Sequence, residues 1–152
     1  MSVQERVDDF LKQKRLAMIG VSRDEKGFSR TLFKEFRQRG YDVVPVNPHT
    51  DEIAGITCFS RVQDIQPSVN AVMVVLPGSA VDQAIADSLE AGIPRIWVQN
   101  AMPNAVSAES KELCASREVS LIPGFCPYMF LPDAPFFHKI HAFFLRLFGS
   151  LN

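Results

Sequence analysis

The sequence has few of the residues and patterns that mark several protein classes. Only three of its 152 residues are cysteines (Cys58, Cys114 and Cys126), and they form no C-x-x-C pair or Cys/His zinc pattern. Reduced thiols in the cytoplasm are the simplest interpretation of so few and such widely spaced cysteines. No apolar run approaches the roughly 18–20 residues that a membrane-spanning helix needs. The first residues carry acids and no apolar signal core, so we expect a cytoplasmic protein without a membrane segment.

An excess of one charge is also lacking, since 16 basic side chains stand against 17 acidic ones. A nucleic-acid-binding domain is usually strongly basic, so nucleic acid is not an expected partner. The charge is nevertheless uneven, because residues 1–40 hold ten basic and six acidic side chains whereas residues 41–134 hold four and eleven. A basic quarter can concentrate an anion at one place. The helical spacing of Arg30, Lys34 and Arg37 fits a solvated helix face equally well.

The chain does have enough apolar sequence for one ordinary domain. Hydrophobic residues make up 47% of it, which suffices for a core without disulfides or metals. Continuous apolar runs, typical of strands buried on both faces, alternate with helical patterns. These runs are 16–21, 41–46, 71–76, 96–98 and 119–122. The alternation predicts an α/β fold, a doubly wound parallel sheet with helices on both faces. We expect one domain over residues 1–152, with its core at about 10–122 and a tail from 123.

In a sheet of this kind, ligands bind at the carboxyl ends of the strands, which points to particular loops. These loops are 20–28, 47–50, 76–79 and 99–104. Ser29 is expected to cap the helix that follows the first loop. Pro45 lacks an N–H donor, so its strand should be irregular or lie at an edge of the sheet. A short strand is expected at 57–59.

The first loop distinguishes between nucleotide ligands. A dinucleotide-binding turn would read G-x-G-x-x-G, but this loop has Gly20 alone at the turn. A dehydrogenase would also place an acid near the end of the second strand for a ribose hydroxyl, where this chain has Asn47. An amide there would not repel coenzyme A, which carries a phosphate on its ribose. The cations Arg23, Lys26 and Arg30 can pair with phosphates.

Five motifs in order resemble the CoA-binding domain family. The family is Rossmann-like and similar to the N-terminal domain of the succinyl-CoA synthetase alpha subunit. The resemblance covers roughly residues 10–122, and the segments that carry it are 19–24, 40–48, 52–56, 74–77 and 97–99. The chain departs from the family's usual glycine after Trp97-Val98-Gln99, where it has Asn100.

The resemblance implies a set of ligand-binding positions. They are Gly20, Val21 and Ser22 against the phosphates; Arg23 and Lys26 as cationic partners, with Ser29 and Arg30 at the start of the next helix; Pro45, Asn47 and Pro48 near the adenosine ribose; Leu76 and Pro77 against the adenine or the pantetheine arm; and Gln99 and Asn100 on the far side.

The expected function is non-catalytic binding of coenzyme A or an acyl-CoA. No G-x-S-x-G or Walker motif occurs, and the phosphohistidine domain of the synthetases does not fit in 152 residues. Two alternatives stay open. One is an NAD(H)-binding sensor or reductase. The other is an interaction module without a small-molecule ligand that acts through its aromatic C-terminal segment.

The tail over residues 123–152 is rich in aromatics. Phenylalanines recur at helical spacing after residue 135, which predicts a helix that packs on the sheet or on a second subunit of a homodimer. His138 and His141 stand three residues apart, but no third ligand accompanies them, so a metal site is not expected. Cys126 is interpreted either as a packed core residue or as a reactive thiol whose pKa is lowered by nearby Lys139 and histidines.

Overall fold

The computed structural model describes residues 1–100 and 104–132, and these form alternating strands and helices. The helices are α1 (Val3–Leu11), α2 (Phe28–Gln38), α3 (Gly78–Glu90) and α4 (Ala108–Ser116). The strands are β1 (Arg15–Ile19), β2 (Asp42–Val46), β3 (Glu52–Ile53), β4 (Ile56–Thr57), β5 (Val72–Val74), β6 (Arg95–Val98) and β7 (Ser120–Pro123). Two 3-10 turns, Val62–Asp64 and Pro127–Met129, complete the described elements.

The main sheet has five parallel strands in the order β2-β1-β5-β6-β7. Counted along the chain, this is second, first, third, fourth and fifth, one of the two common orders of doubly wound sheets. The predicted fold class is therefore confirmed. The order reverses at β1, so the connections leaving β1 and β5 diverge to opposite faces. A crevice at the carboxyl ends of these two strands follows from that divergence.

Helices cover both faces of the sheet, and the strands contribute buried side chains to the core on each face. Leu16 and Met18 of β1 pack with buried residues of α1 and α2, whereas Ala17 between them packs with those of α3 and α4. In β6, Trp97 joins the first layer and its neighbours join the second. Successive side chains of a strand point to opposite faces, so an apolar run without alternation is what two buried faces require.

The predicted helix cap at Ser29 was wrong. Helix α2 begins at Phe28 with Gly27 as its N-cap, so Ser29 lies inside the first turn and does not cap it. The Ser29 hydroxyl oxygen instead accepts a hydrogen bond from the backbone N–H of Ser22 at 2.9 Å, which ties the helix to the preceding loop. Helix α3 begins at Gly78, directly after Pro77.

The strand expected at 57–59 is only partly present. Strands β3 and β4 form a short antiparallel hairpin, and Phe59 makes a single parallel bridge to Val46. The edge position expected from Pro45 is confirmed, because β2 is an outer strand of the main sheet. Pro45 needs no donor there, and its carbonyl accepts from the Phe59 N–H at 3.1 Å. The segment after β2 thus extends the sheet edge without a full strand.

The described part of the tail packs on the face covered by α1 and α2. The Trp97 indole N–H donates to the Phe125 carbonyl at 2.8 Å, and the Phe130 ring lies edge-on to the indole at 5.7 Å between centroids. Leu131 is buried in the same layer. The predicted aromatic helix, His138, His141 and the predicted homodimer contacts fall in residues 133–152, outside the described residues. Among residues 1–100 and 104–132, no helix has the length and apolarity to cross a membrane.

Candidate functional site

A crevice of about 480 Å³ opens at the carboxyl ends of β1 and β2 and is closed on one side by α3. Its walls come from four chain segments, three of them loops that follow strands. The lining residues are Ile19, Gly20, Ser22, Val46, Asn47, Pro48, His49, Ser60, Arg61, Val62, Leu76, Ala80, Gln83, Ala84 and Asp87. This is the place at which a doubly wound sheet leaves room for a ligand.

Gly20 is required where β1 enters the crevice. Its φ of 98° lies in the region that favours glycine. A Cβ atom at this position would come within 2.2 Å of the Val75 carbonyl oxygen and 2.7 Å of Leu76 Cδ2. The missing side chain therefore lets the loop after β1 lie directly against the end of β5. Gly20 thus forms the tight turn after β1 and also lines the crevice.

Asn47 joins the loop after β2 to the loop after β1. Its side-chain N–H donates to the Val21 carbonyl at 2.9 Å, and its side-chain oxygen accepts from the His49 N–H at 2.8 Å. Its backbone N–H donates to Phe59 at 2.9 Å. The carboxamide thus holds the crevice wall in shape. Because its oxygen already accepts a backbone N–H, it does not reproduce the ribose-binding acid of a dehydrogenase.

The loop after β1 is braced by its own polar groups. Ser22 Oγ accepts from the Asp24 N–H at 3.0 Å, while the Ser22 N–H is used by Ser29. The Arg30 guanidinium donates to the carbonyls of Ser22 and Arg23 at 3.3 and 3.4 Å. These hydrogen bonds hold the backbone of the loop in its observed shape.

Five of the positions implied by the resemblance line the crevice, namely Gly20, Ser22, Asn47, Pro48 and Leu76. The other nine do not line it: Val21, Arg23, Lys26, Ser29, Arg30, Pro45, Pro77, Gln99 and Asn100. Val21 and Pro45 are buried, so Val21 offers the site only its backbone. Arg23 and Lys26 are exposed, and within residues 1–100 and 104–132 neither forms a salt bridge.

Several lining residues were missed by the sequence reasoning. They are Ile19, Val46, His49, Ser60, Arg61, Val62, Ala80, Gln83, Ala84 and Asp87. Arg61 is an exposed cation at the crevice that makes no salt bridge with the described part of the chain. The one available signal was a lone arginine in a mostly acidic stretch. The residues of α3 lie one helical turn or more beyond the strand end, and the sequence does not show which face of that helix borders the crevice.

Charges are separated along α3. Asp87 lines the crevice near the end of the helix and accepts hydrogen bonds from Gln83 at 3.0 Å and Gln63 at 3.3 Å. Ala80 lines it in the first turn, about 10 Å away along the axis at 1.5 Å per residue. The N-cap, Pro77, makes no side-chain hydrogen bond to the first turn. The first turn of α3, which carries the positive end of the helix dipole, thus borders the crevice through Ala80, away from Asp87.

Cys126 fits the packed interpretation better than the reactive one. Burial raises the pKa of its thiol, and hydrogen bonds from the Tyr128 backbone and the Gln99 side chain offset this only in part. Lys139 and the histidines on which the reactive interpretation depends lie outside the described residues, so that interpretation stays a prediction. Cys58 and Cys114 are buried and their pKa values are raised for the same reason. Among the described residues, no group of His, Cys, Asp or Glu could hold a metal ion.

The sequence matches the CoA-binding domain family over residues 14–132. The chain belongs to this family. That range contains every strand of the described residues and all of the crevice lining. A curated relative from Bacillus subtilis, the uncharacterized protein YneT, is 25% identical over 76% of this chain and 83% of its own length. The alpha subunit of the ADP-forming acetate–CoA ligase II of Pyrococcus furiosus is 27% identical over 69% of this chain, but only 23% of that subunit is matched.

Solved structures share the fold of this CoA-binding domain. A conserved hypothetical protein from Pyrococcus furiosus superposes with a TM-score of 0.66 and 28% identity, covering 74% of this chain and 95% of that one. The ADP- and phosphate-bound acetyl-coenzyme A synthetase 1 of Ca. Korarchaeum cryptofilum superposes with a TM-score of 0.62 and 21% identity. It covers 73% of this chain and 25% of that one, which supports the fold alone.

Proposed function

We propose that this protein binds coenzyme A or an acyl-CoA in the crevice between β1, β2 and α3, without catalysing a reaction on it. The observation that carries the proposal is the open crevice itself, in a chain whose family is named for CoA binding. It lies where the strand order reverses, which is where doubly wound sheets take nucleotides. Because only 23% of the ligase subunit is matched, we infer for this chain the binding of coenzyme A but not the ligase reaction.

The apolar walls suit the adenine ring. Ile19, Val46 and Leu76 border the crevice from the ends of β1, β2 and β5, and Ala84 borders it from α3. The volume of about 480 Å³ falls within the roughly 300–1,000 Å³ of small-molecule sites. A flat heterocycle would bury its faces against these side chains, leaving the polar parts of the ligand for the loops.

The phosphates are assigned to the part of the crevice that Arg61 lines. The donor geometry of its guanidinium matches phosphate oxygens. The Ser22 hydroxyl accepts from Asp24 and keeps its own proton to donate. This assignment replaces Arg23 and Lys26 with Arg61 as the main cationic partner.

The geometry around Asn47 favours coenzyme A over NAD. A dehydrogenase would use a carboxylate here to accept from both ribose hydroxyls. The Asn47 oxygen is already bonded to His49, and the neutral amide does not repel a ribose phosphate. His49 lines the crevice beside it and adds a ring nitrogen that can form hydrogen bonds.

Titration calorimetry on the full chain tests the proposal. Saturable heat is expected with coenzyme A and little with NAD. Arg61→Gln should weaken coenzyme A binding roughly tenfold, about 1.4 kcal/mol, because one charge-assisted hydrogen bond is lost. Arg117→Gln is the matched control, since it removes the same charge from an exposed position at the end of α4. No binding of coenzyme A, or equal binding of NAD, overturns the proposed function, and equal effects of the two variants overturn the role of Arg61.

A further inference from the structure

A second groove runs along α2, away from the crevice. Its volume is about 690 Å³, within the range of small-molecule sites. The lining residues are Glu25, Arg30, Thr31, Phe33, Lys34, Arg37, Gln38 and Ala54. None of these residues lines the crevice between β1, β2 and α3. The groove is thus bounded by one helix face, the loop before it and the β3–β4 hairpin.

The groove gathers positive charge that the described residues do not neutralise. Arg30, Lys34 and Arg37 all line it, and across residues 1–100 and 104–132 none of the three forms a salt bridge. Glu35, the acid within α2, is bound to Arg39 at 2.8 Å. Glu25 is the one acid of the lining, so the groove has a net charge of +2. Like charges at these spacings disfavour a helix, so this arrangement does not serve the stability of α2.

Two of the cations are held in place. The Arg37 guanidinium lies over the Phe33 ring, 5.8 Å from its centroid, and Phe33 is part of the groove wall. Arg30 is half-buried, and its guanidinium donates to the carbonyls of Ser22 and Arg23. Preordered cations lose less side-chain entropy on binding an anion than freely solvated ones do. A solvated helix face, the other interpretation of this spacing, requires neither a concave wall nor such contacts.

The length of the cationic row indicates the class of ligand. Residues 30 and 37 are seven apart, which is about 10 Å along the helix at 1.5 Å per residue. A single phosphate reaches one or two of these side chains, whereas linked phosphates can contact all three. Guanidinium groups recognise phosphate oxygens through paired hydrogen bonds. We propose that this groove is a second anion site, which takes a small molecule bearing two or more linked phosphate groups.

The probe for this site is inorganic tripolyphosphate, titrated into the full chain by calorimetry at about 0.1 M salt, where exposed charges more than roughly 10 Å apart are screened. The double variant Lys34→Gln/Arg37→Gln should raise the Kd at least tenfold. Arg30 is left intact because it braces the neighbouring loop. The matched control is Lys111→Gln/Arg117→Gln, which removes the same charge from exposed positions of α4 and its C-cap. The control should bind as the unaltered protein does.

Three outcomes overturn the proposal. These are no detectable binding, equal weakening by the two double variants, and loss of binding in Arg61→Gln instead. Amide chemical shifts provide a second readout, and tripolyphosphate should perturb residues 30–38 and leave Arg61 unchanged.

Discussion

Replacing Gly20 with alanine tests how closely the loop after β1 lies against β5. The added Cβ would come within 2.2 Å of the Val75 carbonyl oxygen, which is backbone at the end of a central strand. The φ of 98° adds a conformational cost. Gly40 offers a matched control, because its φ of 92° is similar but no atom lies within 4 Å of a Cβ built there. The two variants share the backbone cost and differ in the overlap.

The expected magnitudes follow from these two contributions. A left-handed conformation costs an alanine roughly 1–2 kcal/mol, so Gly40→Ala should lower the free energy of unfolding by about 1 kcal/mol. Overpacking against atoms that cannot move costs roughly 1–3 kcal/mol more. Gly20→Ala should therefore lower the free energy of unfolding by about 3 kcal/mol or more. Domains commonly have a free energy of unfolding of only about 5–15 kcal/mol, so the difference is measurable.

The assay is urea unfolding followed by Trp97 fluorescence. Trp97 is the one tryptophan of the chain and is fully buried in β6, so unfolding moves it into water. With a slope of about 2 kcal/mol per molar urea, the midpoint should fall by about 1.5 M for Gly20→Ala and by about 0.5 M for the control. Equal losses in the two variants would refute the close approach of the loop to β5 and, with it, the shape of the crevice.

Three further predictions concern the loops, the second helical layer and the thiols. Asn47→Ala should lower the free energy of unfolding by about 2 kcal/mol, since hydrogen bonds to Val21 and His49 are lost; an unchanged urea midpoint contradicts this. Hydrogen bonds from the Ser110 side chain and the Ser107 backbone lower the pKa of Asp82. The stability that these bonds contribute is therefore present above the ordinary carboxyl pKa and is lost as the pH falls through the lowered pKa of Asp82. Asp82→Ala should thus destabilise the protein by about 1 kcal/mol at pH 7, with the difference shrinking in acid; a pH-independent difference in urea midpoint argues against it. Cys126 should react with iodoacetamide at pH 7 more slowly than free cysteine, and faster reaction, detected by mass spectrometry, would contradict its raised pKa.

The sequence predicted the sheet well because a strand that is buried on both faces appears in the sequence as a continuous run of apolar residues. The run Ala71-Val72-Met73-Val74 has no polar position, and only a strand covered on both sides tolerates that. Pro45 likewise predicted the sheet edge from its missing donor. Helix starts were less predictable, because the hydroxyl of a serine near a helix start can accept a hydrogen bond either from the helix or from the preceding loop. The Ser29 hydroxyl accepts from the loop, and this depends on the position of the Ser22 N–H in the folded chain.

The crevice itself was predicted only in part. The loops after β1, β2 and β5 were foreseen, because carboxyl ends of parallel strands share one edge. Arg61 was missed, because the loop after the short strand expected at 57–59 was not counted among the ligand-binding loops. That segment pairs with β2 through a single bridge. The emphasis on Arg23 and Lys26 rested on charge near the glycine turn. Neither residue lines the crevice. A pattern of charges along the sequence does not show in which direction each charged side chain points.

The position of the bound ligand tests the central claim most directly. A crystal structure of the full chain grown with coenzyme A should show the adenosine between β1, β2 and α3, against Leu76 and Ala84, with phosphate oxygens within hydrogen-bonding distance of Arg61. Coenzyme A seated elsewhere, for example along the cationic row of α2, would contradict the account. So would a crevice that stays empty at a concentration where calorimetry shows saturation.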